Sequence, residues 1–325
     1  MSALAKYAPP ALTLLPLKYQ GKTRDTFEAK WPEANDKRRP PLLIVATNRI
    51  STHNIVHKSE IPKKGEVLTA LTIFWLIDVL ERAGVAHHLI TYGKKIYDYV
   101  PKPDLDLKEV PLHRRAIVVK QLDITLVEFI LRQYLCGSLW DKYYSKGEDP
   151  YEVQIPPGLP LMTNFSGVAK FAGPVFTPTE KSETDPPLPS GATARKYPKA
   201  VVLSRGVFNL GQQHLRAKGI EGIDTKFEFG LDEDGQVVLA DEVLTPDSSR
   251  FARLADIKQG QNPPWLDKQI ARDKAEAIWK ERGGEREGLE FSPLIISNLT
   301  HAYVDLFEMI VGKKLSQFQL ERLDN

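Results

Sequence analysis

The segment Thr225-Lys226-Phe227-Glu228-Phe229-Gly230 alternates polar and apolar residues, and a second alternating stretch follows Asp234-Gly235. Asp-Gly is a strong hairpin signal, because both central residues of a two-residue turn need positive φ. With Asp234 and Gly235 at the centre, Glu228 falls opposite Asp241. Directly opposed side chains have Cβ atoms about 4.5–5.5 Å apart and like charges there repel, so a cation is expected between them. Two readings meet that need: Lys226 neutralising a solvated hairpin face, or hard carboxylate oxygens holding Mg²⁺ on a bound nucleotide. The period of two also sets Asp224, Lys226 and Glu228 on one face, with Phe227 and Phe229 on the other.

Three further places could hold phosphate. Gly21-Lys22-Thr23-Arg24-Asp25 lies between two strand candidates, where backbone N–H groups and two cations can cover a polyphosphate. Arg132 leads into Tyr134-Leu135-Cys136-Gly137-Ser138, where a glycine turn and a hydroxyl near a helix start suit a phosphate monoester. Arg250, after Pro246-Asp247-Ser248-Ser249, could add a second guanidinium fork. Each of these, taken singly, also reads as a capped turn beside a surface arginine.

These residues need elements to carry them. Leu12–Leu17, Thr23–Ala29, Leu42–Ala46, Ala116–Lys120 and Leu126–Leu131 read as strands. Helical spacing follows Gly65, with a short helix expected over Leu139–Lys146, a long one over Val201–Lys218, and two more over Pro264–Arg282 and Ser292–Val311. The Pro-, Thr- and Ser-rich stretch Pro156–Pro198 reads as a long irregular surface segment. Over 325 residues the net charge is +2, which gives no case for nucleic acid as a partner. One cysteine, Cys136, excludes an intrachain disulfide and a Cys-rich zinc site, and points to the reducing cytoplasm. No membrane span is expected, the longest apolar candidate being Ile73–Leu80, broken by Asp78, and no signal peptide is expected either.

GKTRDTF, VATNRIS with IPKKGEVLT, LRQYLCGSLWDKY, FTPTEKSE, DTKFEFGLDEDG, ADEVLTPDSSR and DKQIARD occur in that order from about residue 13 to 312. Together they resemble the phosphoribosylaminoimidazole-succinocarboxamide (SAICAR) synthase family. The resemblance implies an α+β, ATP-grasp-related two-lobed fold with antiparallel sheets and C-terminal helices, with ATP in the cleft between the lobes. Expected boundaries are 1–118 for a β-rich lobe, 119–262 for an ATP- and substrate-binding α+β lobe, and 263–325 for a helical part. It implies a ligase that phosphorylates the carboxylate of carboxyaminoimidazole ribotide with ATP and lets the amine of L-aspartate displace phosphate. A homo-oligomer is compatible with such a family.

Carried over residue by residue, Lys22 and Arg24 look like nucleotide phosphate contacts, Glu228 and Asp241 like Mg²⁺ ligands and part of the ATP site, and adenine is expected along Val118–Leu122, with Lys120. Arg132, Ser138 and Arg250 look like a 5′-phosphate clamp, and Lys181, Asp185 and Asn54 like further substrate contacts. Asp224, Lys226 and Arg49 are expected near the reacting groups, with Lys226 or an acid near it as a candidate base for the aspartate ammonium. Two departures stand out. The family's ATDRISAFD reads ATNRISTHN here, with Asn48 and Asn54 replacing two Asp residues, and the family's KAExxHDENIS loop becomes Lys181-Ser182-Glu183-Thr184-Asp185-Pro186-Pro187. These departures open two other readings: a member using a related heterocyclic carboxylate or another amine, and a nucleotide-binding paralogue without turnover.

Overall fold

The structure, a computed structural model, describes residues 15–33, 37–100, 110–135, 137–140, 147–153, 169–258 and 262–325. Contacts divide the chain into two units: Met1–Asp78, His87–Leu122 and Ile270–Asn325 form the first, Val79–Ala86 and Asp123–Gln269 the second.

In the first unit, β1 (Leu17–Gln20), β2 (Arg24–Glu28), β3 (Leu42–Ala46), β6 (Leu89–Tyr92) and β7 (Ala116–Val119) form an antiparallel sheet in the order β1-β2-β3-β7-β6. β4 (Arg49–Thr52) and β5 (Ile55–Glu60) make a separate ribbon. Phe27, Leu43, Val45, Ile96, Leu112 and Val118 fill the sheet's core. The first expected strand begins only at Leu17; residues 12–14 lie outside the described residues. Helix α1 (Lys64–Ile73) is buried along its whole length and widens into a π-helical segment, Phe74–Leu80. A Cβ on Gly65 would stand 2.6 Å from the Ala46 carbonyl oxygen, so only glycine lets α1 start this close to the end of β3.

The second unit is a seven-stranded antiparallel sheet. Its path runs β10 (Ala169–Phe176), β9 (Val127–Leu135), β12 (Ile220–Leu231), β13 (Val237–Ala240), with β11 (Thr179–Glu180) on β9 and both β8 (Asp123–Ile124) and β14 (Ser249–Arg253) on β12. Phe129 packs edge-on against Phe229 at 5.0 Å, filling the apolar face that the alternation foretells. After β9 comes α2 (Gly137–Trp140); residues 141–146, most of the expected short helix, lie outside the described residues. α3 (Ser190–Lys196) precedes α4 (Pro198–Ala217), which lies on β12 with Gln212 and Leu215 against Gly222. Between Gly222 and Asp224 the β12–β14 register shifts. Gln212 clasps that bulge, donating to the Gly222 carbonyl at 2.7 Å and accepting from the Gly222 N–H at 2.9 Å.

Two expectations are corrected here. Of the stretch expected to be irregular, residues 156–168 lie outside the described residues and 181–189 form a loop, but β10, β11 and α3 occupy much of the rest. β10 exists through pairing with β9, and Pro174 falls in its register break between Lys170 and Val175, where the ladder needs no donor. The hairpin turn is also one residue longer than expected. Gly235 N–H donates to the Asp232 carbonyl and Asp232 N–H to the Gln236 carbonyl, leaving three loop residues with Gly235 at φ 71°. Glu228 therefore pairs with Ala240, not Asp241.

The chain then returns to the first unit with α5 (Gln269–Glu281), α6 (Pro293–Val311) and α7 (Leu315–Arg322). Ser292 caps α6 by accepting from Ile295 N–H, and Gly312 ends it at φ 76°. By length and composition α6 could cross a membrane, a stretch the sequence reading passed over. Its Leu299, Tyr303, Leu306, Phe307 and Ile310 form one buried stripe and the helix packs on α1, the pattern of an amphipathic core helix. The tail is fastened: Asp324 accepts from both Arg114 Nε (2.9 Å) and Nη2 (2.5 Å), and pairs with His113 Nε2 at 2.9 Å.

Candidate functional site

In the first unit the Gly21–Arg24 loop joins β1 to β2 and is tightened by Gly21 N–H donating to the Arg24 carbonyl at 2.7 Å. Arg49 secures it from inside. Its guanidinium reaches the buried Asp25 carboxylate at 2.5 and 3.2 Å and the carbonyls of Gly21 (3.0 Å) and Lys22 (3.4 Å). That geometry gives Arg49 the work of shaping the loop that presents Lys22 and the half-buried Arg24.

The two departures from the family pattern sit in this unit. Asn48 Oδ1 accepts from the Gly65 N–H at 3.1 Å, capping α1, whose own N-cap residue Lys63 offers no side-chain bond. An acceptor oxygen is what that position uses, and Asn supplies it as Asp would. Asn54 sits in the β4–β5 turn at φ 64°, beside His53 at φ 48°, and accepts from Lys22 Nζ at 2.5 Å. Lys120, just past β7, is exposed and its N–H donates to the His88 carbonyl at 2.7 Å.

In the second unit β12 carries the candidate residues between two flanking strands. Asp224 pairs with Arg132 of β9 on one side and Arg250 of β14 on the other. Both guanidinium groups reach its Oδ2, at 2.7 and 2.5 Å. Thr177 Oγ1 and Gln269 Oε1 fix the forks by accepting from Arg132 Nε and Arg250 Nε, each at 2.9 Å. Gly137, at φ 58°, makes room: a Cβ there would lie 2.7 Å from Arg250 Nη2. Ser138 stands in α2, but its side chain is outside the described residues.

Two residues along the strand, Lys226 donates to Glu228 Oε1 at 2.8 Å and lies 3.0 Å from Glu128 Oε1. Thr179 donates to the second Glu128 oxygen at 2.8 Å, and Lys181 donates to Glu228 Oε2. Burial works against the Lys226 ammonium, but Glu228, Glu128 and Asp241 outweigh it and hold its pKa well above the ordinary lysine value. Those three carboxylates favour the ammonium form of Lys226. Burial raises the Glu228 carboxyl, yet Lys226 and Lys181, against the push of Asp241, bring it below the usual glutamate value. Asp241 itself lies just past β13 at φ 57° and still bears electrostatically on both. Asp185, at φ 45°, belongs to a loop that Glu180 N–H closes onto the Pro186 carbonyl at 2.9 Å, with Lys181 N–H held by the Leu126 carbonyl at 2.9 Å.

Sequence reasoning missed Glu128, Thr177, Thr179, Gln212 and Gln269. Glu128 had a usable signal, since it stands four residues before Arg132 and so on the same strand face. No group of three or more candidate metal ligands occurs among the described residues. Two hard carboxylates, Glu228 and Asp241, fit Mg²⁺ only in the form in which a nucleotide's phosphates and water complete its shell.

The sequence profile of the SAICAR synthetase family matches residues 17–285. A phosphoribosylaminoimidazole-succinocarboxamide synthase of Mannheimia succiniciproducens is 36% identical over 276 residues, 82% of this chain and 86% of its own length. The solved SAICAR synthase of Saccharomyces cerevisiae, complexed with SAICAR, superposes with a TM-score of 0.77 at 31% identity, covering 93% of this chain and 96% of that one. A SAICAR synthetase solved with ADP shares the fold at a TM-score of 0.59 and 21% identity, covering 91% of this chain and 98% of its own. Profile, relatives and fold agree over most of the length, and the chain belongs to the SAICAR synthetase family.

Proposed function

We propose that this chain is an ATP-dependent carboxylate–amine ligase of purine biosynthesis. It joins L-aspartate to the carboxylate of carboxyaminoimidazole ribotide through an acyl phosphate, giving SAICAR, ADP and phosphate. The observation that carries this reading is the charged row on β12, with an arginine clamp at Asp224 and a lysine–glutamate chain at Glu228. The two ends stand about 13 Å apart along the strand at ~3.3 Å per residue. One end suits a phosphate monoester, which Arg132 and Arg250 bind as a dianion. The other suits the meeting of two anions, a nucleotide phosphate and a carboxylate, which repel unless cations lie among them.

Lys226 contributes a fixed positive charge at the reacting carboxylate, and Glu128 keeps it in place. Lys22 and Arg24 contact the nucleotide phosphates, Lys120 and the backbone around it receive adenine, and Lys181, Asp185 and Asn54 meet the substrates. Glu228 and Asp241 would hold Mg²⁺, which when bound neutralises phosphate charge. The substrates are small molecules, without nucleic acid or membrane, and we place the enzyme in the cytoplasm.

The test is mass spectrometry of products from ATP, carboxyaminoimidazole ribotide and L-aspartate. Succinocarboxamide formed in step with ADP is expected. Protein that binds nucleotide and ribotide yet makes none would overturn the assignment.

A further inference from the structure

Both oxygens of Glu228 are held by ammonium groups, and the two holders differ. Lys226 lies on the central strand β12 and has a second carboxylate, Glu128, itself braced by Thr179. Lys181 stands at the start of the loop after β11, its side chain is 37% exposed, and Ser182, Glu183 and Thr184 beyond it are exposed. Its backbone is pinned to the Leu126 carbonyl, so the four-carbon stem can swing without moving the loop. If one cation must leave Glu228, it is Lys181.

Resting on the metal-site reading above, we infer that Lys181 is a displaceable counter-ion that couples metal–nucleotide binding to capture of the anionic substrate. Without nucleotide the Lys181 ammonium balances Glu228 Oε2. A divalent cation and an ammonium cannot share that oxygen, because like charges at such separation repel strongly in a partly buried site. Lys181 therefore swings off when metal–nucleotide arrives, and its charge becomes available to the carboxylate of the second substrate. Linkage then requires each ligand to tighten the other equally.

The experiment is calorimetry of Mg²⁺–ADP binding, with and without carboxyaminoimidazole ribotide, on wild type, Lys181→Met and Lys181→Gln. For wild type we expect mutual tightening of about 5- to 50-fold. In both variants Mg²⁺–ADP alone should bind several-fold tighter than to wild type, because the competing ammonium is gone, and the mutual tightening should fall to within about twofold. Weaker or unchanged Mg²⁺–ADP binding in the variants, or coupling retained at its wild-type size, overturns the displacement. A wild type whose ADP binding ignores Mg²⁺ brings down the metal-site reading itself, a result separable from the former by the wild-type titration alone.

Discussion

Arg49–Asp25 in the first unit and the β12 row in the second both bury charge, but they share it differently. Arg49 grips both oxygens of Asp25, and other N–H groups of Arg49 serve loop carbonyls. On β12 each carboxylate is shared, Asp224 by two guanidinium groups and Glu228 by two ammonium groups. Opening the Arg49–Asp25 pair strands a buried charge, whereas a carboxylate held by two cations can release one to an incoming anion and keep the other. The first arrangement holds backbone in place and the second can bind.

The sharpest way to break that contrast is Asp25→Asn, which leaves the Arg49 guanidinium buried without its counter-charge. A loss of about 3–5 kcal/mol is expected by denaturant unfolding. Asp25→Leu with Arg49→Met should recover part of it, and a single variant as stable as wild type would show the pair to be dispensable. Next in size, Arg250→Ala should weaken carboxyaminoimidazole ribotide by about 1.5–3 kcal/mol more than the matching riboside, measured by calorimetry. Equal losses would remove the phosphate from Arg250.

Asp324 offers a control, since it too is shared, by Arg114 and His113, but at the chain's tail. Hydrogen bonding to Arg114 holds its carboxyl down at about 2. An unfolded aspartate titrates near 3.9, so this contact contributes stability above about pH 4 and loses it as pH falls toward 2. Asp324→Asn should cost about 1 kcal/mol at pH 7, with the gap to wild type narrowing steadily below about pH 4 and mostly gone near pH 2 in thermal melts. An undiminished gap there would detach the effect from the carboxylate. The smallest effect belongs to Asn48→Asp. Because the Gly65 N–H needs only an acceptor, stability should change by less than about 0.5 kcal/mol and aspartate-dependent turnover should stay similar. A large gain in turnover would mean the lost charge matters to chemistry.

Much of this was legible in advance where local pattern governs. The alternation of Thr225–Gly230 foretold which side chains of β12 share a face, and Phe227 and Phe229 are indeed fully buried. The facing strand was misplaced by one residue, because Asp232 takes both Asp234 and Gln236 N–H groups on its carboxylate and so draws the turn out to three residues. β10 was invisible for another reason: its Gly- and Pro-containing sequence has little strand propensity and is held by pairing with β9 some 40 residues earlier. The bracing of Lys226 by Glu128 and Thr179 needs three strands side by side, which no single stretch of sequence reveals.

The bulge that Gln212 clasps resets which side of the strand counts as inward. On β14, Ala252 and Arg250 stand two residues apart, while their partners on β12, Glu221 and Asp224, stand three apart. The extra residue turns odd-numbered Glu221, buried against Tyr134 and Arg216, to the same side as even-numbered Asp224. A one-residue deletion within Ile220–Ile223 would therefore leave both neighbouring strands intact and yet part the Glu221 anchor from the row it leads into, so this short stretch should tolerate substitution far better than any change in length.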